Sequence, residues 1–301
     1  MREIAAVAAL GARHVLFGDD DYPALLAEID TAPAALIVAG DLGLTRRPVI
    51  AIVGARNASA ASLRFARMLA HDLADQKIAI VSGLARGIDT AAHEGALAGG
   101  TIGVIAGGPD IFYPPENEAL QRRIATQGLI IAEQPPGTEP RARHFPSRNR
   151  IIAGLAQGTV VVEAAPKSGS LITARLAAEC GRDVMAVPGS PLDPRSQGCN
   201  QLIRDGAILV QSAADVIETL RPFGETHVHS APSDYGHAPP PQEVAPGDRT
   251  RIADLLGPSP VPVDELVRQS GLAPAAVHAV LLELELGGRL ERHAGARVGL
   301  V

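Results

Sequence analysis

Several short stretches of this chain carry the residue types that grip anions. Lys167-Ser168-Gly169-Ser170 opens a predicted helix, so the lysine and the amides of Ser168, Gly169 and Ser170 together form an anion nest. Gly54-Ala55-Arg56-Asn57-Ala58-Ser59 leads from an apolar run into another helix. There Gly54 permits a tight turn and close backbone approach, Arg56 offers a planar fork to phosphate, and Ser59 caps the helix. The competing reading is an ordinary turn with a surface arginine. Ser82-Gly83-Leu84-Ala85-Arg86-Gly87 repeats the glycine-and-arginine pattern. The run Arg141-Ala142-Arg143-His144-Phe145-Pro146-Ser147-Arg148-Asn149-Arg150 holds four arginines, one histidine and one ring, with no acid. Arginine interleaved with an aromatic suits a single nucleic-acid strand: the cations hold phosphates and the ring stacks on a base. The alternative is a solvated loop with Phe145 anchored in the core.

Other chemistry is poorly represented. Asp89 and His93 are four apart on one helical face, as an acid–base or metal pair would be, but such a pair is more often a hydrogen bond fixing the loop. Residues 54–59 do not spell GxGxxG, and the loop Ala106-Gly107-Gly108-Pro109 lacks the GKS/T of a nucleotide-hydrolysing P-loop. No Ser-His-Asp order, zinc cluster or paired carboxylates stand out. The expectation is binding rather than turnover, with no catalytic residue, metal or cofactor.

These loops need a scaffold that brings them to one edge. Short β-branched runs recur at Val49–Val53, Ile78–Val81, Thr101–Ile105, Leu129–Ala132, Thr159–Val162, Val184–Val187 and Ala207–Val210. Helical stretches at Ser59–Asp75, Ile88–Ala98, Asn117–Thr126, Ser170–Cys180 and Ala213–Leu220 lie between them. This alternation predicts a doubly wound, mainly parallel α/β sheet, in which ligands bind beyond the carboxyl ends of the strands. Residues 1–44 read as a stub with turns and one short strand. Residues 45–223 form the sheet domain, and 224–248, rich in proline and histidine, a linker. Helices at Arg251–Leu256, Val263–Gln269 and Pro274–Leu286, then a terminal hairpin, make 249–301 a winged helix.

Composition narrows the setting. The net charge of −6 argues against a basic coat over the whole molecule, but its distribution is uneven: −5 over 1–44, +2 over 45–225 and −3 over 226–301. A local basic patch is compatible with that total. No apolar run reaches the roughly 18 residues of a membrane helix, and the start is a poor signal peptide. Two cysteines, Cys180 and Cys199, are too few for a disulfide framework, so a reducing, cytoplasmic setting is expected.

Taken in order, five stretches resemble the DNA-processing protein A family (DprA, also called Smf). They are Ile52-Val53-Gly54-Ala55-Arg56; Ser82 to Asp89 and on to His93; His144-Phe145-Pro146-Ser147-Arg148-Asn149-Arg150 to Leu155; Lys167-Ser168-Gly169-Ser170-Leu171-Ile172-Thr173-Ala174; and Val187-Pro188-Gly189 to Gly198-Cys199-Asn200-Gln201-Leu202-Ile203. With Asp21-Tyr22-Pro23 and Ala39-Gly40-Asp41 they span most of 20–220, and the tail from Arg249 is similar to the family's winged helix. The resemblance implies an extended Rossmann-like domain that dimerises, binds single-stranded DNA and loads the RecA recombinase onto incoming DNA during natural transformation. It maps the strand-binding pocket onto Gly54, Arg56, Ser82, Gly83, Arg86, Phe145, Arg148, Asn149, Lys167, Ser168 and Gly169. Arg56, Arg148 and Lys167 would hold phosphates, Phe145 a base, and the amides near Gly54, Gly83 and Gly169 would allow close approach. Many members have a longer N-terminal helical domain where this chain has a stub before Tyr22, and a bulkier or basic residue where Ser147 stands. The acidic winged helix points as much to a protein contact as to DNA.

Two other functions compete. A phosphoribohydrolase of the "lonely guy" type uses a related sheet and a PGGxGTxxE signature, but Ala165-Pro166-Lys167-Ser168-Gly169-Ser170-Leu171-Ile172 lacks the double glycine and the glutamate. A pure adaptor would use the sheet only as a dimer face and the winged helix to recruit a partner.

Overall fold

Apolar residues on consecutive strand positions can be buried only if both faces of a sheet are covered, and the central strands meet that condition. The computed structural model describes residues 2–220, 246–257, 259–293 and 297–300. The chain divides into two compact units near residue 225.

In the first unit, α1 (Arg2–Ala9), β1 (Arg13–Leu16), α2 (Ala24–Ala27) and β2 (Ala35–Gly40) precede the βα repeats. These repeats run β3 (Val49–Val53), α3 (Ala60–Asp75), β4 (Ala79–Ser82), α4 (Ile88–Ala96), β5 (Thr101–Ile105), α5 (Glu118–Gln127) and β6 (Leu129–Ala132). They continue with α6 (His144–Leu155), β7 (Gly158–Val161), α7 (Ser170–Glu179), β8 (Asp183–Ala186), α8 (Gln197–Arg204), β9 (Ile208–Leu209) and α9 (Ala213–Leu220). The nine strands stand in the order β1-β2-β6-β5-β4-β3-β7-β8-β9. Strands β3 to β9 pair in parallel, as the alternation predicts.

Along β3 all five residues are buried, and they alternate between two cores. Val49, Ala51 and Val53 join Ile151, Ile152, Leu155 and Ala174 on one face. Ile50 and Ile52 join Leu69, Leu73, Ile88 and Ala92 on the other. This is the two-residue period of a strand sandwiched by helices.

The first 44 residues differ from the expected stub. Besides the short strand anticipated near Ala35, they supply β1. The pair extends the sheet antiparallel, with β1 on β2 and β2 on β6. Leu36 and Val38 enter the main core, and the Tyr22 hydroxyl donates to Pro33 O at 2.7 Å to close the connection. Arg13-His14-Val15-Leu16 was unreadable as a strand because only Val15 is buried; the other three face solvent or lie at the edge.

The second unit holds α10 (Pro246–Asp254), β10 (Val261–Pro262), α11 (Val263–Ser270), α12 (Pro274–Leu286), β11 (Leu290–His293) and β12 (Arg297–Leu300). Three helices pack over a three-stranded sheet ordered β10-β12-β11 around Ile252, Leu266, Val277, Leu281 and Val298. The expected hairpin is present, and the two-residue β10 is an addition to it. The first helix starts at Pro246 rather than Arg251. The expected linker therefore lies outside the described residues except for 246–248, which open α10.

If β2 is an integral part of the core, Leu36→Ala will lower the stability of the first unit by about 2–5 kcal/mol, as other fully buried leucine truncations do. A urea midpoint unchanged from that of the parent chain would show the N-terminal segment to be a detachable appendage.

Candidate nucleic-acid interface

The chain leaves β3 toward β4, β5 and β6 on one side, then returns to place β7 on the other. The carboxyl ends of β3 and β7 therefore flank the point where strand order reverses, the usual ligand crevice of such sheets. A cleft of about 680 Å³ lies there. Its walls are Gly54, Arg56 and Asn57 after β3, Lys167, Ser168 and Gly169 after β7, and Phe145, Arg148 and Asn149 on α6. An adjoining cleft of about 380 Å³ is lined by Arg56, Gly83, Arg86, Tyr113, Phe145 and Arg148. Of the eleven residues anticipated from the sequence, ten thus line one cleft or the other. Ser82 does not: it is fully buried, and its hydroxyl donates to Ile52 O at 2.6 Å, tying β4 to β3.

The stretch carrying Phe145 and Arg148 is a helix, where a loop was expected. Its first turn, His144-Phe145-Pro146-Ser147, has no side-chain cap, and proline is tolerated only because the first turn needs no amide donor there. The turn is closed by His144 N–H donating to Arg141 O, with the Arg141 amide donating to His144 Nδ1 at 3.2 Å. The helix is held to the sheet by Ile151, Ile152 and Leu155.

Arg148, three residues after Phe145, forms the floor of the cleft. It is buried, and its Nη1 donates to Val104 O at 2.7 Å. A Cβ at Gly83 would stand 1.9 Å from that same nitrogen, so glycine is required there. Burial pushes the guanidinium down to about 10, with Asp89 opposing the shift. Asp89 in turn is raised by burial, countered by Arg148 and by amide donation from Gly83 at 3.1 Å and Ala85 at 3.3 Å. Arg148 is therefore a clamp between α6 and the β4 and β5 strands, a different task from the open phosphate contact expected of it. The Gly83 amide is likewise already spent on Asp89.

The exposed cations differ among themselves. Arg56 has its guanidinium 5.4 Å from the centre of the half-buried Phe145 ring, which also meets Tyr113 at 5.5 Å in a tilted pair. Arg86 is ion-paired with Glu116. Among the described residues neither Arg56 nor Lys167 has an ion-pair partner. Beside Lys167, the Ser168 amide is turned inward to Ala165 O at 2.9 Å, so it is withdrawn from the expected nest. Gly169 has an ordinary φ of −62°, and nothing lies within 4 Å of a Cβ placed on it. Packing does not require glycine at this position. It does at Gly54, where a Cβ would meet Ile88 at 2.6 Å.

Ser59 caps α3 by accepting from the Ser62 amide, but that helix start is not open to an external anion. Buried Glu163 occupies it, accepting from the Ser59 amide at 3.1 Å and from the hydroxyls of Ser59 and Ser62, each at 2.7 Å. Asp89 and His93 do not form a pair: His93 Nδ1 lies 2.7 Å from Thr101 Oγ1 in the core. Among the described residues no group of three or more His, Cys, Asp or Glu could hold a metal, and no helix is long and apolar enough to cross a membrane. Sequence reading missed Arg195, which reaches the larger cleft from the loop after β8.

Residues 13–221 match the model of the DNA recombination-mediator protein A family, and residues 236–296 match that of the DprA winged helix domain. The chain belongs to this family. It is 49% identical to the DNA processing protein DprA of Streptococcus pneumoniae over 201 residues, covering 66% of this chain and 71% of that protein. It is 39% identical to Protein Smf of Escherichia coli over 292 residues, covering 95% and 77%. The X-ray structure of Streptococcus pneumoniae DprA superposes with a TM-score of 0.69 at 45% identity, covering 72% of this chain and 78% of the other. A Helicobacter pylori DNA processing protein A, solved to describe its single-stranded DNA binding mode, superposes at 0.63 with 31% identity, covering 69% and 95%. For this DprA-family chain the expected fold is thus established, both in its mainly parallel sheet and in its winged helix.

Beneath the cleft, burial lowers His93 to about 3. The folded state thus holds this ring neutral while the unfolded chain protonates it below about pH 6.5. Stability from this group is complete above that pH and falls as pH drops toward 3, by about 1.4 kcal/mol per unit in mid-window. Denaturant titrations between pH 7 and 4 will show a shallower acid loss for His93→Gln than for the parent chain; parallel curves would refute the neutral buried ring.

Proposed function

We propose that this chain binds single-stranded DNA across the carboxyl rim of its sheet and, as a recombination mediator, delivers that strand to a RecA recombinase. One observation carries the DNA reading: an unpaired arginine, an unpaired lysine and an accessible ring converge on one cleft at the switch point of the sheet. Arg56 and Lys167 neutralise phosphates. Phe145 stacks on a base, with Arg56 braced against its face, and Gly169 lets the backbone of the strand approach the start of α7. Such contacts are tolerant of sequence, because every base has a flat face and every nucleotide a phosphate. The net charge of −6 does not oppose such binding, because the cations it calls on are local to this rim.

Delivery to RecA rests on membership in the recombination-mediator family. A mediator of this kind holds the strand loosely enough to release it, which fits a short row of contacts better than an enclosing channel. The chain acts as a homodimer in this reading; edge strand β9 leaves Ile208 and Leu209 half exposed, an open edge that self-association would cover.

Titration with oligo-dT at several salt concentrations tests the DNA reading. Arg56→Ala and Lys167→Ala will each weaken binding and reduce the salt slope by about 0.7, one phosphate's worth. Phe145→Ala will cost about 1–3 kcal/mol with little change in slope, since stacking releases no counterion. Gly169→Ala will fold normally yet bind less well. Salt-independent affinity, or parental affinity in both cation variants, would defeat the proposal. For delivery, the parent chain will shorten the lag of RecA filament assembly on oligo-dT, and Lys167→Ala will not.

A further inference from the structure

The cations of the rim follow the sheet order. Arg86 comes four residues after β4, Arg56 three after β3, Lys167 six after β7 and Arg195 nine after β8, and these four strands are consecutive parallel neighbours. Their carboxyl ends are therefore set side by side, about 4.8 Å apart per strand. The loop after β8 makes a short 3-10 turn over Pro194–Ser196, capped by Asp193, whose carboxylate accepts from the Arg195 amide at 2.9 Å. The same carboxylate accepts from Arg195 Nε at 3.0 Å and Nη2 at 2.8 Å. Arg195 is exposed, lines the cleft shared by Arg56 and Lys167, and lies on the Lys167 side of it.

We propose that Arg195 is a further strand-binding residue, reached when a DNA phosphate replaces Asp193 as its partner, so that the bound strand crosses the rim from the end of β4 to the end of β8. This rests on the single-stranded DNA reading above and extends it to a fourth strand end. Two features favour partner exchange. The resting pair is at the surface, where an ion pair is worth at most about 1 kcal/mol, so a phosphate competes easily. The fork that grips Asp193 is the geometry that grips phosphate. Against exchange stands Asp193 itself, a carboxylate held below its ordinary value mainly by hydrogen bonds from Arg195, which the phosphate must displace. Arg86 with Glu116 repeats the arrangement at the opposite end of the row. The two inner cations are thus open and the two outer ones are guarded by carboxylates.

The test uses the full chain and fluorescent oligo-dT in a salt series, with Arg56→Ala as reference. Arg195→Ala will raise Kd roughly five- to tenfold at 50 mM salt and reduce the slope by about 0.7. Asp193→Asn keeps an oxygen to cap the 3-10 turn but removes the competing charge. It will tighten binding two- to threefold, and the double variant Asp193→Asn with Arg195→Ala will bind no better than Arg195→Ala alone. A purely structural Arg195–Asp193 pair would weaken or leave unchanged the binding of Asp193→Asn, which overturns the inference. Parental affinity and slope in Arg195→Ala, with Arg56→Ala weakened, overturns it alone. No binding by the parent chain overturns this inference together with the function on which it rests.

Discussion

The cleft depends on a guanidinium buried against a glycine. Arg148 Nη1 reaches Val104 O only because Gly83 has no side chain, and Asp89 supplies the compensating charge nearby. Removing a cation from water costs several kcal/mol unless its donors and charge are matched, so this arrangement is poor insurance for stability by itself. Its value is positional. It fixes α6 against the ends of β4 and β5, and Phe145 sits one turn earlier on the same helix. The ring proposed to receive a base is thereby tied, through an arginine three residues away, to a definite height above the sheet. The match is incomplete: Arg148 Nε is buried without a partner among the described residues.

Much of the architecture was legible in the sequence because its signals are local. The strand runs from Val49 to Val187 are apolar on both faces, and helix starts such as Ser59 and stops such as the end of α5 fall within a residue or two of the positions read from the pattern. Three parts were not legible, each for a physical reason. α6 begins with His-Phe-Pro-Ser-Arg-Asn, a string lacking helical apolar periodicity because part of it lines the cleft and its inward face includes a charged residue. β1 is an edge strand with one buried residue, too little for alternation to register. Arg195 lies nine residues past its strand, and only the Asp-Pro-Arg turn places it back over the rim.

Ten of the eleven anticipated residues line the two clefts, but their surroundings differ, and the difference is one of burial. Arg56, Arg148 and Lys167 look equivalent in sequence. In the fold, two are exposed and one is clamped. The glycines separate in the same way. Gly54 and Gly83 are glycine because Ile88 and Arg148 leave no room, whereas nothing in the packing asks for glycine at 169. Residue type therefore located the rim, while only the surroundings of each residue distinguish those that build it from those left free to meet a ligand.

That distinction also bears on how an acidic chain would hold the polyanion proposed for it. A doubly wound sheet gathers many anion-attracting groups at its carboxyl edge: helix starts, turned-out amides and basic loops. Here most are satisfied from within. Glu163 fills the start of α3, Asp89 takes the amides of Gly83 and Ala85, and Glu116 and Asp193 pair the outer arginines. Among the described residues Arg56 and Lys167 are left without a carboxylate partner, whereas at the start of α7 the Ser168 amide donates to Ala165 O and the Ser170 amide to Ser168 Oγ. Internal carboxylates thus do more than balance charge: they occupy amides and arginines along the rim that an incoming anion would otherwise meet. A single phosphate gains little against such competition, whereas a strand with evenly spaced phosphates gains at every step along the row. On the proposed function, preference for a polymer over a mononucleotide would follow from that arithmetic without a contact to any particular base.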